Sequence, residues 1–159
     1  MGKVRRVWLA ALAVGLVAGG GVAVNAATAS AAESSPIGWA SQNGGTTGGA
    51  GGSTVTVTSA SALDSALQSS SRQVIRVSGM ISLSGMHKVN SNKSILGVGS
   101  GSGLSGGGLN LSDVSNVIIR NVTFVDAHDC FPAWTPTDGD TGNWNSLYDN
   151  VTLLGSTNV

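Results

Sequence analysis

The segment from Phe131 to Asn150 carries the side chains of this sequence that are best suited to chemistry. It holds two of the four tryptophans, the only tyrosine and three of the eight acidic residues of the chain. Those carboxylates are Asp138, Asp140 and Asp149, and Asp129 lies just before the segment. Carboxylates in a loop rich in Gly and Asn are the oxygen ligands that a calcium ion prefers. Aspartates also cap turns, so both interpretations stay open at this point.

The spacing of these aspartates does not make an EF-hand. Asp138-Gly139-Asp140 opens like that motif, and Asp149 falls at its twelfth position. However, Asn143 stands where the motif needs glycine, and no helical pattern flanks the loop. If the segment binds calcium, it does so in another kind of site.

The remaining side chains of this region have two interpretations each. Trp134, Trp144 and Tyr148 either contact a ligand or brace the loop against the fold, and we favour bracing. His128 has no partner motif and is expected to be structural. Cys130 is the only cysteine, so it cannot form an internal disulfide, and we expect it to act as a small buried hydrophobic residue.

Residues 1–31 have the pattern of a secretory signal peptide. Lys3, Arg5 and Arg6 precede an apolar run, and Ala29-Ser30-Ala31 forms a small-residue cleavage site. The rival interpretation is a membrane anchor, but four glycines interrupt the run. We therefore expect an exported, extracellular protein without membrane contact after cleavage.

Removal of that segment changes the charge of the chain. The whole sequence has a net charge of zero, whereas the remainder has five basic and eight acidic residues, a net charge of −3. No basic patch is left, so nucleic acid is not expected as a partner.

The rest of the chain predicts an all-β domain with one short helix. Residues 32–52 are rich in Gly, Ser and Thr and predict a linker or an extended lead-in, with Trp39 either exposed or packed on the domain that follows.

Regular structure is predicted from Ser53, in a domain spanning residues 53–159. Ser61–Ser69 has helical spacing, with Ser61 and Asp64 resembling a capping box. Alternating or aliphatic runs predict strands at Thr54–Val57, Val74–Val77, Ile81–Leu83, Ser94–Val98, Leu109–Leu111, Val117–Arg120 and Val151–Leu154.

Asn-Val steps recur at the strand starts. They occur at Asn116, Asn121, Asn150 and Asn158. In a solenoid of parallel coils such residues stack, and their side chains can hydrogen-bond along the stack. Asn also marks turns by itself. The repetition favours the stacked solenoid.

Taken in order, several stretches resemble landmarks of the extracellular pectate lyase family. They are GWASQNGGTTGGAGG, VIRVSGMISL, NKSILGVGSGSGLSGGGLNL, NVIIRNVTF and DCFPAWTPTDGDTGNWNSLYDNVTLLGSTNV, and they cover about Gly38 to Val159. The resemblance implies a right-handed parallel β-helix, here its N-terminal coils. It also implies calcium-dependent β-eliminative cleavage of polygalacturonate by a protein that is a monomer when complete.

The same resemblance nominates site residues. The YDNV match makes Asp149 a calcium ligand, and the PTDG match makes Asp138 a second one. Ala127–Tyr148 corresponds to a long loop over the sugar-binding cleft. The arginine that acts as base in that family lies beyond Val159, and Arg72, Arg76 and Arg120 do not match it, so no catalytic residue is predicted. We therefore expect a truncated β-helix that is inactive alone.

Three functions remain in competition. The first is a pectate lyase, and the alternative is a non-catalytic extracellular β-helix that binds uronate polysaccharide. A pectin methyl-ester lyase shares the fold but usually lacks the calcium carboxylates, so Asp149 argues against it.

Overall fold

The structure is a computed structural model that describes residues 36–42, 44–129, 133–134, 144–145 and 148–159. The predicted signal peptide, Cys130 and Asp138 lie outside the described residues. Within the described part of the chain, no helix is long and apolar enough to cross a membrane.

Parallel strands dominate the described chain. Its elements are a 3-10 turn at Gly38–Ser41, β1 (Ser53–Val57), α1 (Ala60–Gln68), β2 (Gln73–Lys88), β3 (Lys93–Ser112), β4 (Val117–Arg120), β5 (Thr123–Val125), β6 (Ala133–Trp134), β7 (Trp144–Asn145) and β8 (Val151–Leu154). All pairs among β1, β2, β3, β4, β5 and β8 are parallel, and only β6 with β7 is antiparallel. This is the ladder of a parallel β-helix.

Each long strand contributes to three faces of the β-helix in turn. The first face consists of β1, the start of β2, the start of β3 and β4. The second face pairs Met80–Ser82 with Gly103–Ser105 and β5. The third face pairs Gly85–Lys88 with Gly107–Asn110, and the end of β3 with β8. Successive coils therefore stack residue upon residue.

The core lies inside these three faces. Ile75 pairs with Ile95 on adjacent coils, and Leu104, Leu109 and Leu111 are fully buried on the later faces. Helix α1 packs on β2 and buries Leu63 and Leu67 in the same core. Since burial of one large aliphatic side chain is worth about 1.5–3 kcal/mol, this stack is the main stabilising term.

The predicted strands are longer in the structure than in the sequence analysis. Val74–Val77 and Ile81–Leu83 were predicted as separate strands, but both lie in β2. Gly79 and Gly85 have φ of 77° and 79°, and the ladder register shifts beside each of them. Glycine tolerates this left-handed conformation, so the chain bends at the corners without leaving the ladder. β5 and the short β6–β7 pair were not predicted.

The predicted capping box at the helix was wrong. Ser59 is the N-cap, and its Oγ accepts from the backbone N–H of Ala62 at 3.4 Å, whereas Ser61 lies inside the first turn. Asp64 is instead bound to Nδ1 of His87 at 2.5 Å. This contact joins the helix to β2, so Asp64 has a tertiary role in place of the predicted local one.

The Gly-rich lead-in is packed on the β-helix before Ser53. Thr46, Gly48 and Gly49 are buried, and the backbone N–H of Gly49 donates to Oγ of Ser94 at 2.9 Å. Trp39, in contrast, is 93 % exposed. Regular packing therefore begins earlier than the predicted Ser53, and Trp39 does not brace the domain.

Of the predicted Asn-Val steps, Asn116 forms a side-chain stack, at a corner that we call the asparagine corner (Asn92, Asn116, Thr47 and Gly48), and its partner Asn92 was not predicted. Nδ2 of Asn116 donates to Oδ1 of Asn92 at 2.8 Å across adjacent coils. Both asparagines also have positive φ, 61° and 59°. Stacking and turn formation thus occur together, while Asn121 and Asn150 lie at other positions of the coil and do not join this stack.

Candidate functional site

Asp149 lies just before β8, at the start of a third-face strand. Its side chain is exposed, and Oγ1 of Thr152 donates to Oδ2 of Asp149 at 2.9 Å. Oδ1 has no partner among the described residues. One carboxylate oxygen is thus oriented by the protein and the other is available to a ligand.

The backbone of Asp149 is supported by the coil beneath it. Its N–H donates to Sδ of Met86 at 3.2 Å. Its carbonyl oxygen lies 1.7 Å from the place where a Cβ on residue 108 would be, so only glycine fits at Gly108. Tyr148 lies over Gly85, which is the contact expected of a residue that braces the loop. These contacts hold the carboxylate at a defined place above the third face.

The structure describes only some of the other predicted site residues. Asp138 and Asp140 lie outside the described residues, so the structure does not place them beside Asp149. Asp129 and His128 lie on the segment after β5, and both side chains have an interaction partner. Within the described ranges, no group of three or more acidic, His or Cys side chains is arranged to hold a metal ion.

The loop that precedes Asp149 contains a short antiparallel pair. Trp134 in β6 stands opposite Trp144 in β7, and Trp134 is 52 % exposed. Both tryptophans belong to the loop predicted from the sequence. The structure adds that their backbones are directly paired.

Sequence analysis missed a row of polar residues on the outer side of the third face. Lys88, Asn110 and Thr152 occupy one register position on three successive coils. Their neighbours Val89, Leu109 and Leu111 are buried, so the row points away from the core. The alternation of polar and apolar residues in Leu109–Ser112 is a signal that could have identified this row.

A depression of about 590 Å³ adjoins this row. Every lining residue except Val114 is of a polar or charged type, and the lining residues are Ser70, Lys88, Asn90, Ser91, Asn92, Asn110, Ser112, Asp113 and Val114. Lys88 and Asp113 are its charged lining residues. The depression lies at the end of the third-face strands opposite to Asp149.

A buried lysine lies beneath this depression. Lys93 is fully buried, and its Nζ donates to the backbone carbonyls of Ser69 and Ser71 at 2.8 Å and of Ser91 at 3.2 Å. Burial lowers the pKa of Lys93 below its usual value. Three donated bonds use all three N–H groups of an ammonium, so Lys93 ties the α1–β2 connection to the β2–β3 connection.

The arginines considered in the sequence analysis lie elsewhere. Arg72 donates to the carbonyl of Ala50 at 3.1 Å and so holds the lead-in. Arg76 and Arg120 lie two coils apart on the first face, on either side of Leu96. Neither belongs to the third face that carries Asp149.

Comparison with known proteins agrees with this architecture. The profile of a family described as pectate lyase matches residues 6–158. Pectate lyase E of Dickeya chrysanthemi is 33 % identical over 174 residues, which cover 99 % of this chain and 44 % of that enzyme. A pectate lyase of Emericella nidulans is 52 % identical over 99 residues, covering 61 % of this chain and 30 % of that enzyme.

A solved structure shows the same relation. The structure of a thermostable pectate lyase superimposes on this chain with a TM-score of 0.67 at 30 % sequence identity. The match covers 76 % of this chain and 45 % of that enzyme. The chain thus spans less than half of the length of each of these relatives. The predicted right-handed parallel β-helix is confirmed. The extent of the profile match and the shared fold show that the chain belongs to the pectate lyase family.

Proposed function

We propose that the protein acts as a calcium-dependent pectate lyase that cleaves polygalacturonate by β-elimination. The match of the family profile to residues 6–158 carries this proposal. The exposed carboxylate of Asp149 on the third face supports it. The predicted signal peptide at residues 1–31 makes the site of action extracellular.

Asp149 is proposed as the primary calcium ligand and Asp138 as a second one. Calcium prefers carboxylate oxygens, and Asp149 presents Oδ1 to solvent while Thr152 orients Oδ2. The donor chemistry therefore fits the ion. A calcium ion bound there would neutralise the carboxylate of a uronate unit and acidify the proton on the adjacent carbon.

The residues of this chain would bind and orient the polymer near that ion. Met86 and Gly108 hold the backbone of Asp149, and Thr152 holds its carboxylate, so the ligand oxygen stays in place. We assign the proton-abstracting base to no described residue, because Arg72 is engaged with the lead-in and Arg76 and Arg120 are on another face.

Calcium titration of the chain, with and without the change Asp149→Asn, tests the metal site. We expect calorimetry to show calcium binding that Asp149→Asn weakens about tenfold or more, because a charged ligand oxygen is lost. The matched control is Asp113→Asn, which removes a carboxylate from the other end of the third face. Equal calcium affinity in the wild type and Asp149→Asn would contradict the assignment.

The activity itself is tested by the ultraviolet absorbance of the unsaturated product formed from polygalacturonate. A protein that includes this chain and the remaining length of its relatives should form product with calcium and lose that activity with a chelator. Binding of the polymer without product would favour a non-catalytic uronate-binding module instead.

Export is tested separately by sequencing the N-terminus of secreted material. We expect the mature chain to begin near Ala32. Secreted or membrane-bound material that begins at Met1 would contradict the signal peptide.

A further inference from the structure

The strongest unassigned feature of the molecule is a pair of unused hydrogen-bond donors on the third face. Nζ of Lys88 and Nδ2 of Asn110 have no partner among the described residues. They lie in register on adjacent coils, which places their Cα atoms about 4.8 Å apart. Both side chains face solvent, so the two adjacent donors are available to a ligand that carries acceptor oxygens.

The orientation of Asn110 is fixed by its neighbour. Oγ of Ser112 donates to Oδ1 of Asn110, so the amide oxygen is occupied and the NH₂ group is presented outward. Asn90 and Asn92 in the same depression are different, because Asn90 donates to the carbonyl of Gln68 and Asn92 accepts from Asn116. Asn110 is thus prepared to donate, whereas the other two are used by the fold.

The charges around the depression favour an anion on the Lys88 side. Lys88 is exposed at the rim, and the buried Lys93 lies beneath, bound to the carbonyls of Ser71 and Ser91. Asp113 is the acidic group that lines the depression, and its carboxylate fills the space beside Gly155 in the next coil. The carboxylate of Asp113 is thus directed toward Gly155 on the next coil.

We propose that Lys88 and Asn110 bind one carboxylate of the uronate polymer and extend its binding surface from Asp149 toward the N-terminal coils. This inference rests on the proposed function for the identity of the polymer. Lys88 supplies the charge, and the amide of Asn110 donates to the second carboxylate oxygen. Thr152 continues the same row to Asp149, so the polymer runs along the coils.

Binding of oligogalacturonate of defined length, measured by calorimetry at low ionic strength in a chelator, tests this inference. The chelator excludes calcium, so the result is independent of Asp149. Because an exposed ion pair is worth up to about 1 kcal/mol, we expect Lys88→Gln to weaken binding about three- to fivefold. Asn110→Asp should weaken it at least as much, since it places a negative charge against the carboxylate.

The matched control is Arg76→Gln, which removes one exposed cation from the first face. It should leave the affinity unchanged, and reduction of the polymer's carboxylates to alcohols should abolish the difference between wild type and Lys88→Gln. Equal effects of Lys88→Gln and Arg76→Gln would overturn the inference, as would no saturable binding by the wild type in chelator. Either result leaves the calcium titration of Asp149 as a separate test of the proposed function.

Discussion

The asparagine corner and the outer row of the third face use the same kinds of residue in opposite ways. At the corner, the side chain of Asn116 makes five hydrogen bonds, to Thr47, Gly48 and Asn92. On the third face, the NH₂ group of Asn110 makes none with the described residues. The side chain of Asn116 stabilises the fold, whereas the NH₂ group of Asn110 can donate to a ligand.

The two lysines repeat this contrast. Lys93 is fully buried and donates to three carbonyls, whereas Lys88 is exposed and has no partner within the described chain. This difference between Lys93 and Lys88 shows that residue type alone does not distinguish structural from functional positions in a β-helix. What separates them is whether the neighbouring coil supplies a partner.

The largest effect is expected from breaking the asparagine corner. Asn116→Ala leaves two lead-in N–H groups without their acceptor and puts alanine at a φ of 59°. We expect the free energy of unfolding to fall by about 3 kcal/mol. The matched change Asn110→Ala should cost less than about 0.5 kcal/mol, as at other solvent-facing sites. Urea denaturation of both variants measures this, and equal losses would remove the distinction between the two regions.

The second prediction concerns the close contact between Gly108 and the backbone of Asp149. Gly108→Ala places a Cβ 1.7 Å from the carbonyl oxygen of Asp149, so the chain at Asp149 must move. We expect a loss of about 2 kcal/mol in stability, together with weaker calcium binding. Thermal melting and calcium titration report the two effects. Unchanged calcium affinity in a destabilised variant would show that Asp149 is not positioned by this contact.

The third prediction concerns the buried lysine. Lys93→Met leaves three carbonyls without their donor and should lower the free energy of unfolding by about 1–3 kcal/mol. Lys88→Met, the exposed counterpart, should change it by less than about 0.5 kcal/mol. Chemical denaturation measures both, and a stable Lys93→Met variant would mean that the ammonium is not needed to join the turns.

The same lysine gives a pH dependence. Burial lowers the pKa of Lys93 below 10.5, so between the folded and unfolded pKa values the unfolded chain binds more protons. Stability contributed by this group therefore rises as pH increases through that window. Denaturation of the wild type and Lys93→Met at a series of alkaline pH values should show the difference growing in favour of the wild type. A difference that shrinks with pH would contradict the lowered pKa.

The smallest effect is expected from Thr152→Val, which tests whether the hydroxyl of Thr152 orients the carboxylate of Asp149. It removes the hydrogen bond to Oδ2 of Asp149 while keeping the size of the side chain. Since partners of metal ligands orient them, we expect calcium affinity to fall about two- to tenfold, with stability changed by less than about 0.5 kcal/mol. Thr152→Ser keeps the hydroxyl and should restore the affinity. Failure of that rescue would show that the hydroxyl does not orient Asp149.

Much of this protein follows from its sequence because the signals are local and repeated. The alternation around Val55, the helical spacing of Leu63 and Leu67 and the Asn-Val steps each depend on neighbours within one coil. Stacked coils repeat those local constraints, so the solenoid could be predicted, and so could Asn116 as a stacking residue, although its partner Asn92 could not. The position of Asp149 ahead of a strand followed from the same pattern and from family resemblance.

What the sequence could not decide were contacts between residues about twenty or more positions apart. The pairing of Asp64 with His87, the support of Asp149 by Met86 and Gly108, and the alignment of Lys88 with Asn110 depend on the register of neighbouring coils. That register is set by glycine corners such as Gly79 and Gly85, where the ladder shifts. Only the tertiary structure fixes which polar group finds a partner, because partners in a β-helix come from the adjacent coil and not from the adjacent residue.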